Sequence, residues 1–264
     1  MIDDQRSFFI LSLILKVKTT SGAEGEASGK YRGIGLSGKS HKAGAMNLKD
    51  HFIHKLSGMY CFADTPELCD RLLQAGARII QLREKKLDDQ RFYELGRAML
   101  DRVRRFEGAV LIVNDRVDVA LKLEAHGIHI GQEDEHYRRV IQKAPPNMIV
   151  GVSVDNAEQA GIAESAGADY LGAGAVFSTA TKADAPVIGI DGLRSIVNAV
   201  GIPVAAIGGI TLKNLPRVIE TGARYYAVIS ELNSAPDISL RYREFLEVIG
   251  RVSPQAPAEA PDKK

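Results

Sequence analysis

Cysteine is scarce in this chain, with only Cys61 and Cys69 among 264 residues. Two thiols cannot build the disulfide framework of a small secreted scaffold, and nothing around them has the paired spacing of a zinc knuckle. Their scarcity points to a reducing compartment, and a cytoplasmic location is expected. Long hydrophobic runs are missing as well. No apolar stretch reaches the ~18 residues that a bilayer-spanning helix requires, so no membrane partner is expected. Neither sign of charge is in excess: 34 Lys and Arg stand against 33 Asp and Glu, a formal net charge of +1. Bulk electrostatics therefore give no reason to expect a nucleic-acid partner. What is left is an ordinary globular composition, 45% hydrophobic and 25% charged, in a chain long enough for one large domain.

The first 56 residues differ from the rest. A short apolar stretch, Phe8 to Leu15, is followed from Thr19 to Ala45 by Gly, Ser and Lys without periodicity. Asp3 and Asp4 beside Arg6, with no small-residue cleavage site close behind, speak against a secretory signal. Residues 1–56 are expected to be a disordered extension, or sequence lying upstream of a start at Met46. Residues 251–264 are expected to form a flexible tail, because three prolines and three alanines fall between Ser253 and Lys264.

Between these ends, over residues 57–250, short β-rich runs alternate with longer helical patterns. The predicted strands are Met59–Ala63, Arg78–Leu82, Val110–Val113, Gly127–Ile130, Ile149–Val152, Tyr170–Ala173, Val204–Ile207 and Tyr226–Ile229. Asp88–Arg105 and Ala157–Ala166 read as helices between them. Such alternation implies parallel strands joined by crossovers. An internal echo recurs at Gly76, Gly167 and Gly222, each in a small-residue setting just before a strand, where a helix C-terminus wants positive φ. A doubly wound open sheet has the same local pattern. Eight units favour an α/β fold of the (β/α)₈ barrel type, as a single domain.

Strand after strand ends in a polar or Gly-rich cluster, and the C-terminal strand ends of such a barrel share one face that carries the active site. Gln81, Arg83 and Lys85 sit at alternate positions, so an extended backbone points all three the same way. Two cations and an amide on one side suit an anionic ligand such as a diphosphate. Asp115 and Asp134 follow adjacent predicted strands and could converge on one ion. Mg²⁺ takes one or two carboxylates, keeps waters and completes its shell with phosphate oxygens. Each Asp alone could instead cap a helix. Ser178-Thr179-Ala180-Thr181-Lys182 could cradle phosphate or form a plain loop. Gly208-Gly209 and Ile229-Ser230 follow strands seven and eight, the habitual phosphate site of this fold. His126, His129 and His136 are clustered, but strand parity separates the first two, so structural or solvated roles are expected.

These motifs together resemble the thiamine-phosphate synthase (thiamine-phosphate pyrophosphorylase) family over about residues 57–250. They run in order: Gln81-Leu82-Arg83-Glu84-Lys85, Asn114-Asp115-Arg116-Val117-Asp118-Val119-Ala120, Gly131-Gln132-Glu133-Asp134, Gly151-Val152-Ser153, Thr179-Ala180-Thr181-Lys182 and Ala206-Ile207-Gly208-Gly209-Ile210. The resemblance implies a transferase that couples an aminopyrimidine diphosphate to a hydroxyethylthiazole phosphate, or its carboxylated form, giving thiamine phosphate and pyrophosphate. It implies that Gln81, Arg83, Lys85 and Asn114 hold the pyrimidine substrate and that Asp115 and Asp134 bind Mg²⁺ on its diphosphate. Ser153 would sit by the pyrimidine and Lys182 would reach the leaving phosphate. Arg83, Ser153 and Lys182 thus become the candidate catalytic residues. Thr179, Thr181, Gly208, Gly209, Ile229 and Ser230 would take the thiazole phosphate. Self-association into a homo-oligomer stays open.

The chain departs from that pattern in places. Ala180 stands where the family usually has Lys or Gln, Val154-Asp155 follows Ser153 where a His is common, and strand one reads Tyr60-Cys61-Phe62-Ala63-Asp64. A related aminothiazole tautomerase branch shares the barrel, but its members commonly lack the acidic Gly-Gln-Glu-Asp end and use that His. A non-catalytic regulatory barrel would not need Asp115, Asp134, Arg83 and Lys182 together. Both alternatives are therefore disfavoured against the synthase.

Overall fold

The computed structural model describes residues 47–131, 137–179 and 186–252. Eight parallel strands close on themselves in sequence order, each paired with its neighbours and the last with the first. In chain order the elements are α1 (Leu48–His54), β1 (Gly58–Ala63), α2 (Pro66–Ala75), β2 (Ile79–Leu82), α3 (Asp89–Val103), β3 (Val110–Asn114), α4 (Val117–Leu123), β4 (Gly127–Ile130) and α5 (Tyr137–Lys143). They continue as β5 (Ile149–Val154), α6 (Ala157–Ala166), β6 (Tyr170–Ala173), α7 (Gly189–Ala199), β7 (Val204–Ile207), α8 (Leu215–Ile219), β8 (Tyr225–Val228), α9 (Ser230–Asn233) and α10 (Ile238–Val252). The expected (β/α)₈ barrel is present. Among the described residues, no helix is long and apolar enough to cross a membrane.

Local chemistry sets the element ends. Thr65 caps α2, its Oγ1 accepting from the Leu68 N–H at 3.2 Å, and Pro66 opens the helix where no N–H is needed. Asp88 and Asn156 cap α3 and α6 in the same way. Gly76 and Gly167 end α2 and α6 with φ of 112° and 100°, the left-handed geometry that the repeated Gly pattern predicts.

Strand parity then divides the buried residues into two cores. Odd-numbered positions on β1 (Met59, Cys61, Ala63) face the helices, while Tyr60 and Phe62 face the barrel axis. The same alternation puts Ile79, Ile112, Ile149, Tyr170, Ala205, Tyr225 and Ala227 inside the barrel. Strand boundaries shift from expectation by one or two residues at β1, β2, β3, β5 and β8. Pairing of Asn114 with His129 and of Ser153 and Val154 with Gly172 and Ala173 carries β3 and β5 further toward the site. At β8 the pairing starts one residue earlier, Gly58 opposite Tyr225, and the backbone leaves the strand at Ile229 to begin α9.

Residues 47–56, placed by the sequence in the extension, are part of the fold. Asn47 caps α1 by accepting from the N–H groups of Lys49 and Asp50. Phe52 enters the N-terminal end of the barrel, fully buried, with its ring 5.1 Å from Tyr170 and 5.0 Å from Tyr225. The Tyr225 hydroxyl donates to the Phe52 carbonyl, Arg224 Nε donates to the Leu56 carbonyl at 2.7 Å, and Lys49 Nζ pairs with Asp169 at 2.8 Å. Helical spacing in so short a segment is too brief to register as a pattern, so its apolar residue reads as an isolated one. At the other end, α10 runs to Val252, two residues into the expected tail. The rest of both expected segments, residues 1–46 and 253–264, lies outside the described residues.

Truncation should separate the two parts of the N-terminal segment. A chain starting at Asn47 is expected to keep the urea midpoint of the full chain. Phe52→Ala should lower unfolding free energy by about 3–5 kcal/mol, the usual range for emptying a buried aromatic site. Equal stability of Phe52→Ala and the parent would show that α1 does not close the barrel.

Candidate active site

A cavity of about 550 Å³ opens at the C-terminal ends of the strands. Gln81, Arg83 and Lys85 enter it from β2 and the loop beyond, Asn114 and Asp115 from β3, and Ser153 from β5. Thr179 follows β6, Gly208 and Gly209 follow β7, and Ile229 and Ser230 follow β8. Every predicted site residue within the described part of the chain thus borders one hollow. Asp134 in segment 132–136, and Thr181 and Lys182 in segment 180–185, lie outside the described residues.

The cationic side of the rim rests on a braced loop. Arg83 hangs its N–H on the Ala63 carbonyl at 3.2 Å, which extends the β1–β2 pairing past the strand end. Glu84 accepts from the Leu87 N–H at 2.6 Å and from the Lys86 N–H at 2.8 Å, and these backbone donors hold its carboxyl below the usual range. Arg116 donates to the Leu87 carbonyl and to Asp89, with its guanidinium 4.4 Å from the centre of the Phe92 ring. Glu84 and Arg116, both members of the sequence motifs, therefore shape the turn that carries Lys85. Asp115 lies at the rim with φ of 61°, a left-handed conformation uncommon outside glycine. Its N–H donates to the His129 carbonyl at 2.9 Å, and Asn114 Nδ2 donates to its carboxylate at 2.6 Å. The residue in the capping position of α4 is Arg116, whose side chain makes no capping hydrogen bond.

Across the cavity, Gly208 and Gly209 have φ of 102° and 60°. A Cβ on Gly208 would stand 2.6 Å from the Ala175 Cα, and one on Gly209 2.6 Å from the Ser178 carbonyl. The turn after β7 therefore packs directly on the segment after β6. Backbone bonds from Val176 to Ile207 and from Phe177 to Gly208 fix that contact. The result is a shallow wall of main chain, the kind of surface on which phosphate oxygens settle.

The cavity floor holds groups to which the sequence assigned no function. Gln81 Nε2 donates to the Tyr60 hydroxyl at 2.8 Å, and that hydroxyl lies 2.7 Å from the Tyr170 hydroxyl. The Tyr170 hydroxyl is 2.9 Å from His129 Nδ1, and His129 Nε2 is 3.0 Å from Ser153 Oγ. Burial pushes the His129 imidazole down to about 4 and both phenols upward, so all three stay neutral at physiological pH. His129 has the parity of Gly127 and Gly131, all facing inward. That parity was the available signal, and its meaning depended on knowing which face of β4 is the barrel interior. His126 has the expected structural role: its Nδ1 accepts the Leu111 N–H at 2.9 Å.

The chain is similar to known proteins of a single family. The family model described as thiamine monophosphate synthase matches residues 57–232. A thiamine-phosphate synthase of Pyrococcus furiosus is 44% identical over 180 residues, covering 68% of this chain and 86% of that protein. One of Moorella thermoacetica is 46% identical over 188 residues, covering 71% and 89%. Among solved structures, a thiamine phosphate pyrophosphorylase from Pyrococcus furiosus superposes with a TM-score of 0.69 at 40% identity, covering 75% of this chain and 97% of that one.

His126 and His129 give a pH dependence with a definite sign. Burial first, and for His126 the Arg104 charge second, pushes each down to about 4 from an ordinary value of 6.5. An unfolded chain takes up protons below 6.5 that the folded chain refuses until about 4. Their contribution is therefore complete above pH 6.5 and is lost as the pH falls through that window. Near pH 5 the slope should be on the order of 1 kcal/mol per pH unit for each histidine. Urea titrations between pH 7 and pH 5 should show it, and His126→Gln should shallow the slope.

Proposed function

The chain belongs to the thiamine monophosphate synthase family, and from that membership we propose that it couples an aminopyrimidine diphosphate to a thiazole phosphate, releasing pyrophosphate and thiamine phosphate. The observation that carries this reading is a single cavity with two unlike anion ends. One end has Arg83, Lys85 and Asp115 around it, and the other is the main-chain wall of Gly208 and Gly209. A volume of about 550 Å³ suits two small heterocycles side by side. The catalytic unit is the barrel of residues 47–252, and the reaction is one of the cytoplasm.

In the proposed reaction the pyrimidine methylene–oxygen bond breaks, with its electron pair going to the diphosphate. The thiazole nitrogen then gives its lone pair to the methylene carbon. Arg83 and Lys85 meet the negative charge that grows on the departing group, and a fixed charge aimed at a charge that develops is the most effective form of stabilisation. Lys182, which follows β6 in the sequence, would share that task. Gln81, Asn114 and Ser153 orient the pyrimidine. Thr179, Thr181, Gly208, Gly209, Ile229 and Ser230 hold the thiazole phosphate, so the nitrogen is in place when the cation forms. No side chain need act as nucleophile.

The donor chemistry of the rim fits Mg²⁺. Asp115 offers hard oxygen atoms at an open edge, and among the described residues no group of three or more His, Cys, Asp or Glu forms a closed metal cage. An ion that keeps waters and takes substrate oxygens suits such a place. Asp115 and Asp134 would hold it, and when bound it supplies positive charge to the diphosphate.

The test is pyrophosphate release when both phosphorylated heterocycles and Mg²⁺ are supplied. Asp115→Asn should reduce that rate by about 100-fold or more while circular dichroism stays unchanged. A parent chain that binds both compounds and releases no pyrophosphate would refute the coupling reaction. An Asp115→Asn variant of undiminished rate would refute the metal assignment.

A further inference from the structure

We propose that Gln81, Tyr60, Tyr170 and His129 form a hydrogen-bond relay of one polarity that holds His129 as the Nε2–H tautomer and makes the Ser153 hydroxyl a dedicated donor to a ring nitrogen of the pyrimidine. The identity of that ring rests on the function proposed above; the polarity of the relay does not.

The relay crosses the barrel interior through five strands, with Gln81 on β2, Tyr60 on β1, Tyr170 on β6, His129 on β4 and Ser153 on β5. Its four links measure 2.8, 2.7, 2.9 and 3.0 Å. The donor inventory sets the direction. An amide nitrogen can only donate, so the Tyr60 oxygen accepts from Gln81. Tyr60 is 1% exposed and has one proton to place. Giving it to Tyr170 satisfies that proton, whereas receiving from Tyr170 would leave it buried without an acceptor, at the cost of an unmade hydrogen bond. Tyr170, fully buried, must then donate onward to His129 Nδ1. A neutral imidazole that accepts at Nδ1 carries its proton on Nε2, and that proton goes to Ser153 Oγ. The Ser153 hydroxyl has its own proton left, and Ser153 borders the cavity.

The surroundings are shaped for this chain. A barrel of this type is ordinarily filled by branched aliphatic side chains. Here two glycines open the space that the relay occupies. A Cβ on Gly151 would stand 2.2 Å from the Tyr170 ring, and one on Gly172 would stand 2.7 Å from His129 Cε1. Those two glycines sit opposite relay members in the β5–β6 register, Gly151 beside Tyr170 and Gly172 beside Ser153.

Tyr60, Tyr170 and His129 are thus positioning residues that act through Ser153. Nitrogen-15 NMR of the ligand-free full chain at pH 7 should show His129 Nδ1 without a proton and Nε2 with one. The reverse assignment would overturn the polarity. Tyr170→Phe should bring in a population of the Nδ1–H form, and an unchanged spectrum would overturn the relay. Binding is read with the aminopyrimidine diphosphate and with its two analogues in which one ring nitrogen is replaced by C–H. One analogue should bind the parent about 3–10-fold more weakly, the usual worth of one hydrogen bond. That penalty should vanish in Ser153→Ala and shrink in Tyr170→Phe. Equal binding of both analogues by the parent would overturn the donor role of Ser153. Loss of pyrophosphate release with the expected tautomer and analogue penalty would sink the coupling reaction and support the relay.

Discussion

A strand in a closed parallel barrel has two faces and no free edge, and every consequence in this molecule follows from which face a residue takes. Helix-facing positions are mostly Ile, Leu, Val and Ala, with Met59, Cys61 and Tyr226 among them, and the helices that follow the strands cover them. Axis-facing positions carry aromatic, aliphatic and small residues low in the barrel and polar ones near the rim. The same two-residue period that builds the outer core therefore delivers Gln81, Arg83, Asn114, His129 and Ser153 into one hollow. A slip of one residue on any strand would exchange the two sets. Closure forbids such a slip unless the neighbouring strands slip too.

The hollow has a gradient of polarity from floor to rim. Phe52, Tyr225 and Ile79 fill the barrel beneath it with apolar side chains, the relay forms its floor, and Arg83, Lys85 and Asp115 stand at the mouth. Charge is thus kept where water can solvate it before a ligand arrives, which limits the desolvation cost of two cations near each other. The neutral groups below need no such solvation, because each hydrogen-bonds to the next. A neutral ring bearing a charged tail fits that gradient with the ring inward and the tail at the mouth.

Much of this was legible in the sequence because it depends on local pattern. The count of strands, the glycines at helix ends and the polar strand termini all follow from short-range rules, and they placed Gln81, Lys85, Asp115 and Gly208 at one end. What escaped depends on distant partners. The role of Phe52 exists only once Tyr170 and Tyr225, more than a hundred residues away, have formed the pocket it enters. His129 reads as one of a cluster of three histidines with structural or solvated roles until β4, β5 and β6 are side by side. Glu84 and Arg116 stand in their motifs with no role assigned to them, and only the turn at Leu87 shows them to be supports.

The two glycines beneath the relay also bear on how this barrel could change over generations. At position 151 a methyl group would collide with the Tyr170 ring at 2.2 Å, and at position 172 with His129 at 2.7 Å. Any larger side chain at either place must be accompanied by a smaller or reoriented one at its opposite number, since a packed interior does not absorb such overlap. The positions are therefore bound as pairs, 151 with 170 and 172 with 129, and single replacements lead through a destabilised intermediate. In a lineage of such sequences, each glycine and its ring should be exchanged together or kept together.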